Sequence, residues 1–278
     1  LGALGRLNEG DYFNIVAFRG DLDSFEKYSA RASEKTIRKT DPFIRKLEAT
    51  GQTDVANALR GIIEEPVVHR PSYVMLITDG RPTTGVIDSR SIIQEITRRN
   101  NRERPIFCFG GGRKVNRYLL EFISYQNRAW SRLSGEMHEM GSDFVDFYEQ
   151  IKDPFLLNVR YRLNGVDPSS VYPKYLSDFY KGKDFTIYGR FDREDIFSMQ
   201  LLGEINGRIK EIIYKGSLKN ADAGGEDIAR EWAFRKIYHL ISQNTMGLGD
   251  PAVLRKEIES LSRKYNITTP YDIENGED

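Results

Sequence analysis

The sequence predicts an α/β fold: a doubly wound, mainly parallel sheet, followed by a small antiparallel β domain with C-terminal helices. Three observations carry this reading. Apolar runs at residues 12–18, 73–78 and 105–109 alternate with helix-like segments, the order expected of parallel strands joined by crossover helices. The run Tyr73-Val-Met-Leu-Ile-Thr78 stops at Asp79-Gly80, then Pro82, Thr83, Thr84 and Gly85, as a strand covered on both faces does where it reaches the carboxyl edge of a sheet. After Asp153-Pro154 the pattern changes to a period of two, the mark of half-buried antiparallel strands.

Each element has its own justification. Residues 1–8 read as the end of a helix stopped by Asn8-Glu-Gly10, and Tyr12–Phe18 as a buried strand. Asp41-Pro42 reads as the N-cap and first position of a short helix with Phe43, Ile44 and Leu47 on its inner face. Val55–Ile63 is a helix with Thr53 or Asp54 as its cap. Further helices are expected near 88–99, 115–124 and 142–151, with the strand Pro105–Phe109 running into Gly110-Gly-Gly112. In the second half, Phe155–Leu163 and Phe185–Tyr188 alternate as strands, and Asn206-Gly207 between two apolar segments signals a hairpin with a type I′ turn. Helices at 226–242, with Ile228, Trp232, Ile237 and Ile241 in one stripe, and at 250–265, opened by Asp250-Pro251, complete the chain. The expected domains are 1–152, an antiparallel, sandwich-like 153–218, and a helical 219–278 with a polar tail after Pro270.

Composition bounds the function. At 278 residues the chain falls in the range of about 250–300 residues where single cores stop growing, which favours more than one unit. The 41 basic and 41 acidic residues cancel, so nothing argues for an electrostatic nucleic-acid or membrane-surface binder, and clusters such as Arg98-Arg99-Asn-Asn-Arg102 read as a solvated helix end. The single cysteine, Cys108, excludes an internal disulfide and a cysteine-based zinc site. No run approaches the ~18 apolar residues that span a bilayer. The opening Leu1-Gly-Ala-Leu-Gly-Arg6 lacks an initiator Met and a signal-peptide pattern, which suggests a chain cut from something longer.

The chemistry concentrates on one loop edge. Thr53, Asp79 and the hydroxyls Thr83 and Thr84 fall at the carboxyl ends of strands or on adjoining loops, where open α/β sheets bind ligands. A Thr hydroxyl and an Asp carboxylate suit Mg²⁺, which takes oxygen ligands in octahedral geometry. The competing reading is that Thr53 caps a helix and Asp79 fixes a turn. Elsewhere, His69, His138 and His239 lack metal-ligand spacing, and Cys108 lies in a buried strand with nothing nearby to activate it. Gly110-Gly-Gly-Arg-Lys114 matches neither the dinucleotide fingerprint nor the P-loop.

Asp11–Phe18, Gly51-Gln-Thr-Asp-Val-Ala-Asn-Ala-Leu59, Leu76-Ile-Thr-Asp-Gly-Arg-Pro-Thr-Thr-Gly85 and Ile106–Gly110 follow the order and spacing of a von Willebrand factor type A domain. The chain resembles the version in inter-alpha-trypsin inhibitor heavy chains and their bacterial relatives. Val171–Phe179, Ile187–Phe191, Ile228–Ile237 and Leu261–Tyr271 resemble the segments that follow it there. The resemblance implies a Rossmann-like domain with a metal-ion-dependent adhesion site, in which a divalent cation (Mg²⁺, or Mn²⁺ or Ca²⁺) captures a protein partner's carboxylate. Thr53 and Asp79 match two metal ligands of that site. The third element, an Asp-x-Ser-x-Ser loop after the first and central strand, does not occur in the sequence. It is expected upstream of residue 1, which makes the chain an N-terminally truncated fragment whose metal site depends on that loop. The turn before the last strand also departs from the family pattern at Tyr125–Trp130, so that edge strand is expected to be altered.

The resulting expectation is a non-enzymatic adhesion module that binds an acidic group on a protein, without nucleic acid or membrane insertion, in a secreted or cell-surface setting. Two alternatives are a structural A-type scaffold with a non-functional metal site, and an α/β enzyme using the turn at 110–112 for a phosphate.

Overall fold

The computed structural model describes residues 1–48, 51–65, 71–101, 103–112, 114–191 and 196–269. They form two compact units, Leu1–Asp153 and Pro154–Asp278.

The first unit is built on three parallel strands, β5 (Val74–Ile77), β6 (Ile106–Gly111) and β7 (Ser131–Ser134), in the order β5-β6-β7. Val74 lies opposite Ile106, and Cys108 opposite Ser131. β6 is buried over Ile106–Gly110 because helices cover both of its faces. Alternate side chains of a strand point to opposite faces, and those of β6 meet different helices. Gly110 abuts Leu120 of α4 (Arg117–Gln126), and Cys108 meets Ser124 of the same helix. Phe107 and Phe109 pack edge-on or tilted against Phe147 of α5 (Met140–Glu149), and Gly111 abuts Met140. The last strand, expected to be altered, runs parallel to β6, with Trp130 just before it 4.8 Å from Phe107, edge to face. Among the described residues β5 pairs only with β6, and Ile77 at its end is half exposed.

The helices preceding and following β5 are α2 (Val55–Glu64) and α3 (Ser89–Arg99); α3 packs on both α2 and α4. A buried polar knot closes the end opposite the loop edge. Asn100 Nδ2 donates to Arg104 C=O and to Asn127 Oδ1, both at 2.8 Å, and Asn127 Nδ2 donates to Ile123 C=O at 2.7 Å. Arg104 Nη1 donates to Ile62 C=O at 2.7 Å, a carbonyl in the last turn of α2 that also accepts from Glu65 N at 3.3 Å.

Two sequence expectations are corrected in this unit. Tyr12–Phe18 is not one buried strand but two, β1 (Tyr12–Phe13) and β2 (Val16–Phe18), paired antiparallel with β4 (Ala30–Arg31) and β3 (Leu22–Ser24) respectively. Asn14 divides them, because its side chain takes over the ladder: Oδ1 accepts from Ile15 N and Glu26 N, and Nδ2 donates to Glu26 C=O. Pro42 does not open a helix; it lies inside α1 (Glu34–Arg45), which starts eight residues earlier under the cap of Ser33, whose hydroxyl accepts from Thr36 N at 3.1 Å. Near a helix end the lost proline N–H removes one bond, and the Ser33 cap and an Arg45–Asp41 pair hold the flanks. Residues 4–6 form a single 3₁₀ turn rather than the end of an α-helix.

The second unit carries an antiparallel sheet of order β11-β10-β8-β9, with β8 at Pro154–Asn164, β9 at Phe179–Tyr180, β10 at Ile196–Ile205 and β11 at Arg208–Ser217. Asn206 and Gly207, with φ of 50° and 73°, supply the paired positive φ values of a type I′ turn. Leu156, Val159, Leu176 and Leu201 form the buried centre of the sheet's inner face. Among the described residues Phe185–Tyr188 forms no ladder; Tyr188 makes a single bridge, exchanging hydrogen bonds with Tyr172 at 2.7 and 2.8 Å. Helices α6 (Glu226–Met246) and α7 (Pro251–Tyr265) pack on one another, and α7 starts at the expected Asp250 cap; Ile228 of the expected apolar stripe is exposed, while Trp232, Ile237 and Ile241 are buried. The polar tail lies outside the described residues. Among the described residues no helix is long and apolar enough to cross a membrane.

Candidate functional site

The site begins with the choice of cap for α2. Asp54, not Thr53, performs it: Asp54 Oδ1 accepts from Asn57 N at 2.9 Å. Asp54 N–H in turn donates to Arg19 C=O at 3.0 Å, tying the start of α2 to the turn between β2 and β3. Thr53 is thereby released from helix duty. It is half buried, and among the described residues its hydroxyl makes no hydrogen bond.

Asp79 follows β5 by one residue. It is exposed and does fix a turn, its Oδ1 accepting from Arg81 N at 3.0 Å. Its main chain is pinned separately, since Asp79 C=O accepts from Asn116 N at 2.8 Å. Gly80 must be glycine: φ is +72°, and a Cβ there would stand 3.0 Å from Leu120.

The loop that leaves Asp79 returns to Thr53. Thr53 N donates to Thr83 Oγ1 at 2.7 Å, and Thr83 N donates to Thr53 C=O at 2.9 Å. Thr84 N reaches the same carbonyl at 3.4 Å. Gly85 then passes so close to Asp54 that a Cβ would sit 2.3 Å from its carboxylate. The two sequence-predicted ligands are thus on loops bonded to each other, with the Thr83 hydroxyl spent on the joint. Asp79 carboxylate and Thr53 hydroxyl are hard oxygen donors, the type that Mg²⁺, Mn²⁺ and Ca²⁺ accept. They fit part of such a shell: among the described residues no group of three His, Cys, Asp or Glu is arranged to hold a metal.

Asn116 was not singled out from sequence. It caps α4 through Oδ1 to Leu119 N at 3.0 Å and reaches Ser89 Oγ at the start of α3 from Nδ2 at 2.9 Å. The available signal was an Asn directly before a helical pattern.

The other candidates lose their chemistry. Gly110 and Gly111 belong to β6, where a Cβ would collide with Leu120 at 2.6 Å and Met140 at 2.5 Å, so they serve packing rather than a phosphate. Cys108 is fully buried and burial pushes its thiol up to about 12. His138 is exposed; His239 is driven down to about 4 by burial and by Lys174, and its ring lies tilted 5.7 Å from that of Tyr172. His69 lies outside the described residues.

Residues 2–128 match the family model of the von Willebrand factor type A domain. The chain carries a von Willebrand factor type A domain. It is similar along its length to inter-alpha-trypsin inhibitor heavy chain H3 of Bos taurus, 24% identical over 292 residues, covering 97% of this chain and 32% of the relative. Heavy chain 4 of Mus musculus is 24% identical over 286 residues, covering 95% of this chain and 30% of the relative. The chain therefore spans about a third of the length of these relatives. The fold is shared with a von Willebrand factor type A protein from Catenulispora acidiphila, with a TM-score of 0.61 and 13% identity over 95% of this chain and 73% of that one. It is also shared with the ArnB paralogue VWA2 from Sulfolobus acidocaldarius, with a TM-score of 0.54, 13% identity and the same coverage. The A domain lies within the first unit, and Asp79 with its loop falls inside the matched residues.

Proposed function

We propose that the A domain is a non-enzymatic protein-binding module in which a divalent cation, held in part by Thr53 and Asp79, captures an acidic group on a protein partner. The observation that carries this reading is the joint at Thr83: it fixes the Asp79 loop against Thr53 and leaves one exposed carboxylate and one uncommitted hydroxyl on the same edge. A cation there would supply positive charge that these residues lack, and a carboxylate is the ligand such an ion attracts most strongly. The remaining oxygens would come from water, the partner and the Asp-x-Ser-x-Ser loop that the resemblance implies. Thr53 and Asp79 serve as oxygen donors in this reading, and the Asp54 carboxylate beside Thr53 is engaged as the cap of α2, which supports a binding rather than a catalytic role. The same resemblance supports a secreted or cell-surface setting.

The test is calorimetric titration of Mn²⁺ and Mg²⁺ into the chain, expressed with whatever residues its gene encodes before Leu1. Binding that a chelator reverses, and that Asp79→Ala and Thr53→Ala each weaken at least about tenfold, is the expected result. Undiminished Mn²⁺ affinity in Asp79→Ala would overturn the proposal.

A further inference from the structure

The second unit ends its sheet in an edge built for pairing. β11 runs ten residues in unbroken register with β10, without proline or bulge, and eight of the ten are exposed. Ile209, Ile212, Ile213 and Tyr214 are 81%, 48%, 58% and 55% exposed. Edge strands that stay single are blunted by short length, prolines, bulges or charged side chains; β11 has charges at Arg208, Lys210, Glu211 and Lys215 but none of the other devices. Among the described residues β11 pairs only with β10.

The register of the hairpin dictates which groups are open. Across the two-residue turn, Ile205 and Arg208 form the closing hydrogen-bonded pair, so Arg208, Lys210, Ile212 and Tyr214 turn their main-chain groups toward β10. Ile209, Glu211, Ile213 and Lys215 turn theirs outward. A second copy of β11 added antiparallel about a two-fold axis sets a residue opposite one of the same parity, with both side chains on the same face. For Glu211 the only basic residue of that parity in the strand is Lys215. An axis at Ile213 places Glu211 across from the partner's Lys215, and does so twice. An axis at Glu211 would oppose two carboxylates, and one at Ile212 would set Glu211 against an isoleucine.

We infer that β11 is a self-association edge, on which a second copy of this chain pairs antiparallel with its axis at Ile213. The same register stacks Ile212 against the partner's Tyr214 on the inner face. Ile212 already stands opposite Leu201, and Tyr214 opposite Met199, so pairing continues the apolar face through the joint. On the outer face Glu211, which accepts from Gln200 within one copy, meets an opposite charge in the other. Isologous pairing closes at two copies, leaving no β11 edge for further growth.

The experiment is sedimentation equilibrium of the chain from micromolar to millimolar concentration. A monomer–dimer equilibrium is expected. Glu211→Lys and Lys215→Glu should each weaken it about tenfold or more, because each change opposes like charges at two symmetric places. The double variant Glu211→Lys/Lys215→Glu should restore it, and far-ultraviolet circular dichroism checks that each single variant remains folded. A monomer at every concentration would overturn the inference and give the edge to another chain segment. A dimer indifferent to the swaps, or growth beyond two copies, would overturn it equally.

Discussion

Thr53 and Thr83 hold each other by two opposed bonds: the amide of Thr53 donates to the Thr83 hydroxyl at 2.7 Å, and the amide of Thr83 donates to the Thr53 carbonyl at 2.9 Å. One threonine is consumed in positioning the other. Thr83→Val keeps the shape and removes the acceptor. The expected loss is about 0.5–1.5 kcal/mol in urea unfolding, with a larger proportional loss of Mn²⁺ affinity than of stability. Equal affinity in Thr83→Val and the parent would mean that the joint does not position Thr53.

Gly85 faces the Asp54 carboxylate at φ +66°. Gly85→Ala forces a Cβ into the helix cap and a left-handed backbone on alanine. A destabilisation of about 2 kcal/mol or more is expected in a denaturant titration, since both the cap and the conformation are lost.

Asn100 and Asn127 share a bond at 2.8 Å in the buried knot below β6. Asn100→Ala leaves Arg104 and Asn127 short of partners and should cost about 2–3 kcal/mol. Asn127→Ala should cost a similar amount, and the double variant less than the sum, because the second change removes groups the first has already stranded.

His239 fixes a pH dependence with a definite sign. Burial, with Lys174 adding to it, lowers its folded value from 6.5 to about 4. Between those values the unfolded chain holds the proton and the folded chain does not. The contribution of this group to stability is therefore complete above pH 6.5 and declines as pH falls toward 4. Urea midpoints measured from pH 7 to pH 4 should fall less in His239→Phe than in the parent; parallel curves would refute the assignment.

Cys108 is inert by position. With the thiol fully buried and raised to about 12, native protein should not react with a thiol-specific reagent at pH 8 and should react once unfolded in urea.

The sequence made the A-type sheet legible where its apolar runs are unbroken. β5, β6 and α2 declare themselves through unbroken apolar runs and a capping Asp, and these are the elements that carry Asp79 and border Thr53. It was less informative wherever a side chain replaces a main-chain partner. Asn14 splits a strand by bonding to Glu26 across the hairpin, a contact that no local pattern encodes. Thr53 and Asp54 are both good caps, so only the bond from Asn57 decides between them. Asn100 sat in a basic stretch that reads as solvated, although tertiary packing buries it beside Asn127. Phe185–Tyr188 alternates like a strand yet finds one residue to pair with.

Asn116 links three places at once: its amide to Asp79, its side-chain amide to Ser89, and its side-chain oxygen to Leu119. Seen as a load path, this makes the ligand loop something other than a tether. Tension applied to whatever Asp79 holds would enter the main chain at its carbonyl, pass through Asn116, and divide between the first turns of α3 and α4 before reaching the sheet. A bond under pull would then be resisted by two helices acting in parallel, with the loop after Arg81 held separately by the Thr53–Thr83 bonds.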